Sequence, residues 1–138
     1  MDLQRLLASV KRHEGFRSEV YKDSLGYDTV GYGTCVKDLV LSEPMASILC
    51  EQELFRMALN AYQKFPWLVT ADPVVQEVLI EMSYQLGITG VSKFKRALIH
   101  LTLEEYDKAA DELLDSKWAR SDSPQRALEL SNRIRVLG

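Results

Sequence analysis

The stretch that decides the fold is residues 14–33, which read EGFRSEVYKDSLGYDTVGYG. Glycines recur through it among valines, tyrosines and threonine, residues that favour β structure. This pattern is typical of short strands joined by tight turns. We therefore predict a small antiparallel sheet between about residues 15 and 41, the only β-like part of the chain.

The residues on either side of the sheet predict helices. Before it, apolar residues recur at helical spacing (Leu3, Leu6, Leu7, Val10), and Gly15 can stop that helix just after Glu14. After it, Ser42 is a suitable N-cap for a long helix that continues to about Tyr62. The dipeptide Pro66-Trp67 should then interrupt the helical pattern.

The last half of the chain predicts a helical bundle. Asp72-Pro73 supplies an N-cap and a first-turn proline, and we expect Gly87 and Gly90 to end the helix that follows. Residues 102–105 (TLEE) form a capping box for a further helix, and Ser123-Pro124 should cap the last one.

Together these elements predict an α+β fold, mostly α, with a single domain over residues 1–138. It would comprise a sheet lobe (about 15–41), a connecting helix (about 42–62) and a helical lobe (about 63–138) packed with the first helix. A cleft between the lobes is the expected ligand site.

Composition excludes several classes of protein. The 138 residues are 46% hydrophobic and 27% charged, which argues against intrinsic disorder. A net charge of −3 argues against a general nucleic-acid binder. Basic residues outnumber acidic ones from Lys117 onward, and these could meet an anionic polymer or simply form a solvated helix face.

Cysteine and histidine are sparse. Two cysteines, Cys35 and Cys50, are too few for a disulfide scaffold and are expected to be reduced thiols. His13 and His100 are far apart, so we expect no zinc site. Neither a secretory signal nor a membrane-spanning segment is recognisable, so we expect a protein kept in a cytosol without stable membrane insertion.

Three residues could together perform glycoside hydrolysis: Glu14 at the helix end, Asp23 in the sheet region and Thr29 on the following strand. That reaction needs one protonated carboxylic acid and one ionised carboxylate, and a hydroxyl can help to hold the attacking water. A helix C-terminus and burial against the sheet would both favour the protonated acid, whereas a polar turn suits the carboxylate. On spacing alone, three solvated surface groups remain the alternative.

The segment also resembles a known family. Glu14, Asp23 and Thr29 are separated by eight and five residues, as in the catalytic pattern of the phage-type lysozymes, glycoside hydrolase family 24. The flanks agree, with Gly15, Tyr21-Lys22, Gly26-Tyr27 and Gly31-Tyr32-Gly33. Further similar blocks are YQLGITGV at 84–91 with Phe94, YDKAA at 106–110, SKW at 116–118, Pro124 and Arg126. The resemblance thus covers nearly the whole chain.

This resemblance implies a lysozyme-like fold and a muramidase that cleaves between N-acetylmuramic acid and N-acetylglucosamine in peptidoglycan, with inversion. It implies Glu14 as general acid, with Asp23 and Thr29 positioning and activating the water. It also implies that Gln85, beside Tyr84, binds substrate and that Arg126 lies near the acid. No metal or organic cofactor is implied.

The alternatives for the remaining residues stay open. Gln85 and Arg126 could instead be surface groups, and large aromatics such as Trp67 and Trp118 are more often core residues than sugar platforms. The chain departs from the family where many members carry histidine after the Gly-x-Gly, since it has Thr34 there. The stretch between Thr29 and Ser42 is also short, which predicts a reduced sheet lobe.

The expected biological role is that of a monomeric bacteriophage endolysin. It would accumulate in the host cytoplasm and reach the periplasmic wall after a membrane-permeabilising partner acts, causing lysis. The alternatives are a virion tail-associated lysozyme, a catalytically inactive wall-binding module and a structural helical adaptor.

Overall fold

The computed structural model describes the whole chain, Met1 to Gly138. It contains six helices and three strands: α1 (Leu3–Glu14), β1 (Arg17–Lys22), β2 (Asp28–Gly31), β3 (Thr34–Cys35), α2 (Glu43–Lys64), α3 (Pro73–Ser92), α4 (Lys95–Thr102), α5 (Tyr106–Leu114) and α6 (Pro124–Arg135). Short 3-10 segments lie at Val36–Asp38 and Pro66–Thr70, and a π-helical turn lies at Trp118–Asp122. The predicted α+β fold, mostly α, is confirmed.

The chain divides into two compact units, Met1–Ala46 and Ser47–Gly138. None of its helices combines the length and apolar character that a membrane span requires. Both cysteines, Cys35 and Cys50, are free thiols.

The first unit begins with α1, whose C-terminal end matches the sequence prediction. Asp2 caps it by accepting from the Arg5 backbone N–H at 3.0 Å, and Gly15 ends it with φ +72°. The apolar residues of α1 remain exposed (Leu3, Leu6, Leu7, Val10). The prediction that this helix packs with the helical lobe therefore stays a prediction.

The sheet has the order β1-β2-β3 and is antiparallel throughout. Thr29, on the central strand, pairs with Tyr21 on one side and Cys35 on the other. An irregularity in β1 between Arg17 and Tyr21 shifts its register against β2. Thr29 is the one buried residue of the first unit. The best-protected position in the sheet is therefore held by a residue of the predicted site.

The second unit contains the hydrophobic core, to which α3, α5 and α6 contribute most. Residues predicted to face inward are buried, namely Val75, Val78, Leu79, Met82, Ala109, Ala110 and Leu113. Asp72 caps α3 as predicted, accepting from the Val74 N–H at 2.8 Å. Two ion pairs tie α3 to α6: Glu77 with Arg133 at 2.9 Å, and Glu81 with Arg126 at 3.3 Å.

The local predictions in this unit were partly wrong and missed one helix. The TLEE segment is not a capping box, because Thr102 ends α4 and its hydroxyl donates back to the Ile99 carbonyl. Helix α4 itself was not predicted. The predicted stop at Gly87 is confirmed as a kink, because Gly87 leaves the helical conformation at φ +75° and ψ +159°. The stop predicted at Gly90 was wrong, because a second helical stretch follows the kink and continues past Gly90 to Ser92.

Candidate active site

Glu14 is the last residue of α1, and its carboxyl group lies against the turn between β2 and β3. A β-carbon built on Gly33 in that turn would stand 2.7 Å from Glu14 Oε2 and 2.8 Å from its Cδ. Gly33 also has φ +79°, which L side chains rarely adopt. Glu14 is exposed, so the expectation that the sheet buries it was wrong; the sheet meets the carboxyl edge instead.

Aromatic and cationic contacts hold the end of α1 beside this turn. The Tyr32 ring lies 5.6 Å from the Phe16 ring, and the Lys11 ammonium lies 5.1 Å from the Tyr32 centroid. Lys11 comes from the last turn of α1 and Tyr32 from the turn that carries Gly33. These contacts therefore fix the position from which Glu14 projects.

Asp23 organises the turn between β1 and β2. Its Oδ1 accepts hydrogen bonds from the backbone N–H groups of Leu25 and Tyr27, each at 2.9 Å. Its own N–H donates to the Tyr27 carbonyl at 2.9 Å, which closes the turn. Since Oδ1 is occupied and Oδ2 accepts no hydrogen bond from the protein, one oxygen of the half-buried carboxyl group remains available to a ligand or water.

Thr29 is held by the same turn. Its hydroxyl donates to the Tyr27 carbonyl at 3.0 Å, and its exposed fraction is 4%. Because the hydroxyl hydrogen is used in this bond, the oxygen can only accept from a further partner. The Tyr27 backbone thus binds Asp23 and Thr29 together, and this bridge was not predicted from the sequence.

The substrate-binding candidates lie in the second unit. Gln85 accepts from Trp118 Nε1 at 3.0 Å and donates to the Ser123 hydroxyl. Trp118 is 3% exposed and meets Phe94 edge-on at 5.8 Å, so its interpretation as a core residue is confirmed.

Tyr84 is exposed, and its phenol borders Cys50. The neighbouring Cys50, followed by desolvation and the nearby Glu53 carboxylate, raises the pKa of Tyr84. Tyr84 is therefore a neutral hydroxyl at physiological pH, able to donate or accept a hydrogen bond.

Arg126 lies in the first turn of α6, where its guanidinium contacts Glu81. Both side chains are 44% exposed, so the pair is largely solvated. The structure thus gives Arg126 a partner that the sequence analysis did not name. Its proximity to Glu14 stays a prediction.

Two further residues matter to these arrangements, although the sequence analysis did not name them as site residues. Gly33 belongs to the Gly-Tyr-Gly run, but a glycine in a turn does not by itself reveal which side chain rests on it. Ser123 was predicted to cap α6, yet its hydroxyl binds Gln85 and makes no cap hydrogen bond. No group of three or more histidine, cysteine or acidic side chains is placed to hold a metal ion.

Comparison with known proteins decides the family. The family model described as phage lysozyme matches residues 11–134, a range that contains Glu14, Asp23 and Thr29. This chain belongs to the phage lysozyme family. It is therefore a lysozyme, a glycoside hydrolase, and its α+β architecture is the lysozyme-like fold that the resemblance implied.

Similar proteins are found in Dictyostelium discoideum and in Enterobacteria phage T4. The chain is 28% identical to a "Probable T4-type lysozyme 1" of Dictyostelium discoideum, over 91% of this chain and 88% of that protein. A second such lysozyme from the same organism is 29% identical over the same shares. The chain is also 28% identical to the "Pre-baseplate central spike protein Gp5" of Enterobacteria phage T4, over 79% of this chain but only 24% of the spike protein.

Proposed function

We propose that this lysozyme is a muramidase: it hydrolyses the β-1,4 bond between N-acetylmuramic acid and N-acetylglucosamine in bacterial peptidoglycan. The arrangement in the first unit carries the proposal. Glu14 ends a helix against Gly33, and one backbone residue, Tyr27, binds both Asp23 and Thr29. Two carboxyl groups in different surroundings, with a hydroxyl beside the second, are what glycoside hydrolysis needs.

Glu14 is the general acid in this mechanism. Its protonated carboxyl group donates to the glycosidic oxygen as the bond from that oxygen to the anomeric carbon breaks. The contact with Gly33 holds the carboxyl edge in one place, whereas its exposure lets it take up a new proton from solvent after each cycle.

Asp23 and Thr29 act on the water. Asp23 Oδ2 accepts one proton of the attacking water, because Oδ1 is already bound to the turn. The Thr29 oxygen accepts a hydrogen bond from the water's other hydrogen, since its own hydrogen is committed to Tyr27. The water oxygen bonds to the anomeric carbon from the face opposite the leaving oxygen, which inverts the configuration.

The other expectations complete the proposal. Gln85, Tyr84 and Arg126 bind substrate in the second unit. The protein acts as a monomer, without metal or organic cofactor and without a nucleic-acid partner. As an endolysin it leaves the host cytoplasm through a membrane opened by another protein, reaches the wall and causes lysis.

A second role has one observation in its favour. The resemblance to a pre-baseplate central spike protein suggests a lysozyme that is carried in the virion and opens the wall during infection. Mass spectrometry of purified virions separates the two roles. A stoichiometric amount of this chain in particles favours the tail-associated lysozyme, whereas its absence there favours the endolysin.

Product analysis tests the proposed reaction. Purified peptidoglycan is digested, the products are reduced with borohydride, and the reduced sugar is identified by mass spectrometry. We expect reduced muramic acid at the new chain ends. Reduced glucosamine would contradict the proposed bond, and the absence of new reducing ends would favour an inactive wall-binding module.

A further inference from the structure

A π-helical turn lies between α5 and α6, and the residues at its two ends both form hydrogen bonds with the side chain of Gln85 on α3. Trp118, the first residue of the turn, donates its indole N–H to Gln85 Oε1 at 3.0 Å. Ser123, just after the turn, accepts from Gln85 Nε2. The Ser123 N–H donates to the Trp118 carbonyl at 2.8 Å, so the two residues that bind Gln85 are also hydrogen-bonded to each other.

The two contacts fix which way the amide of Gln85 faces. An indole N–H can only donate, so the amide oxygen must lie on the Trp118 side. The amide nitrogen then lies on the Ser123 side, where the hydroxyl accepts one of its two hydrogens. Gln85 is an exposed residue, so the second hydrogen is available to an acceptor outside the protein.

The Ser123 side chain binds Gln85 and does not cap α6. A serine directly before a helix normally accepts a hydrogen bond from the first-turn N–H groups. Here the hydroxyl makes no cap hydrogen bond and instead reaches a residue 38 positions earlier in the chain. π-helical turns are rare and occur frequently at functional sites, so their combination with a diverted cap points away from a purely local role.

We infer that Ser123 is a positioning residue: with Trp118, it orients the Gln85 amide so that its remaining N–H is presented to an acceptor oxygen of the glycan or peptide substrate. The inference rests on the proposed muramidase function, in which Gln85 binds substrate. It assigns Gln85 the part of a hydrogen-bond donor. The amide oxygen of Gln85 already accepts a hydrogen bond from the Trp118 indole N–H.

Kinetics of three serine variants on soluble peptidoglycan fragments test the inference. Ser123→Ala should raise KM about three- to tenfold with kcat unchanged, the size expected when one ordinary hydrogen bond loses its alignment. Ser123→Thr keeps the hydroxyl and should restore the wild-type KM. Ser121→Ala is the matched control, because that hydroxyl bonds to the Lys117 carbonyl and to Asp122 in the same segment and makes no hydrogen bond with Gln85.

An NMR measurement without substrate makes the test independent of activity. The two Gln85 side-chain amide protons should have well-separated shifts in the wild type and Ser121→Ala, and should move together in Ser123→Ala. Shifts unaffected by Ser123→Ala would overturn the inference, as would altered shifts with an unchanged KM. A wild-type chain that produces no reducing ends would instead overturn the proposed function, and the substrate role of Ser123 with it.

Discussion

The carboxyl group of Glu14 lies so close to the α-carbon of Gly33 that a β-carbon there would stand 2.7 Å from Glu14 Oε2. A β-carbon at that distance would force the Glu14 carboxyl group to shift, so the present position of the carboxyl group depends on Gly33 having no side chain. The position of Glu14, the proposed general acid, thus depends on a glycine in a different element of the fold.

Gly33→Ala should therefore reduce activity more than its effect on stability would suggest. The Glu14 side chain is flexible, so its carboxyl group will move away from the added methyl group and lose its alignment with the glycosidic oxygen. We expect at least a tenfold loss of kcat, because small displacements of a catalytic group carry large costs. The left-handed backbone adds a stability cost of about 1–2 kcal/mol.

Gly31→Ala is the matched control for that experiment. Gly31 lies in the same hairpin with φ +70°, but a β-carbon there would meet nothing within 4 Å. It should show a similar loss of stability by calorimetry and a much smaller loss of activity. Equal activities for the two variants would show that the contact between Glu14 and Gly33 has no catalytic importance.

Asp23→Asn should separate the structural task of Asp23 from its chemical one. An asparagine oxygen can still accept from the N–H groups of Leu25 and Tyr27, so the turn should survive. It cannot accept a proton from water, so activity should fall by at least about a hundredfold. The melting temperature, measured by calorimetry, should remain within a few degrees of wild type.

Two further variants serve as controls for Asp23→Asn. Asp23→Ala removes the acceptor and should lose both activity and about 1–2 kcal/mol of stability. Asp28→Asn removes only an exposed ion pair with Lys22 and should affect neither quantity appreciably. An active Asp23→Asn enzyme would rule Asp23 out as the base.

Acid sensitivity at the junction of α4 and α5 follows from Glu105. Hydrogen bonds from Lys108 and then His100, with their charges, hold the pKa of Glu105 below its ordinary value of 4.5. Between the two pKa values the unfolded chain binds more protons than the folded one, so stability falls as the pH drops through that window. Glu105→Gln should thus be less stable than wild type at pH 7, and the difference should shrink as the pH falls below about 4.5.

Melting temperatures measured from pH 7 to pH 3 check this expectation. Glu104→Gln is the control, since Glu104 precedes Glu105 directly and makes no side-chain hydrogen bond or ion pair. It should follow the wild-type curve in parallel. A difference between wild type and Glu105→Gln that stays constant over the whole range would contradict the assignment.

Local sequence predicted those parts of the structure that local chemistry determines. The glycine stop after Glu14, the caps at Ser42 and Asp72 and the sheet near residues 15–41 each depend on a few neighbouring residues, and each was found. The TLEE segment failed because Thr102 could also end the preceding helix, and a four-residue pattern does not distinguish the two outcomes.

The contacts that define the candidate site were harder to predict from the sequence. The spacing of Glu14, Asp23 and Thr29 indicated the chemistry, but the bridge through the Tyr27 backbone carries no side-chain signature. Likewise Ser123 is a good capping residue by every local criterion, and its use by Gln85 depends on how α3 packs against the π-helical turn. Long-range contacts of this kind need the folded structure.

The central claim is that Glu14 supplies the proton, and the rate at which Glu14→Gln releases reducing ends from purified peptidoglycan tests it most directly. The matched control is Glu19→Gln, an exposed glutamate of β1 without a side-chain partner. We predict that Glu14→Gln folds like the wild type but loses at least about two orders of magnitude in rate, while Glu19→Gln keeps the wild-type rate. A Glu14→Gln enzyme with half of the wild-type rate would contradict the account.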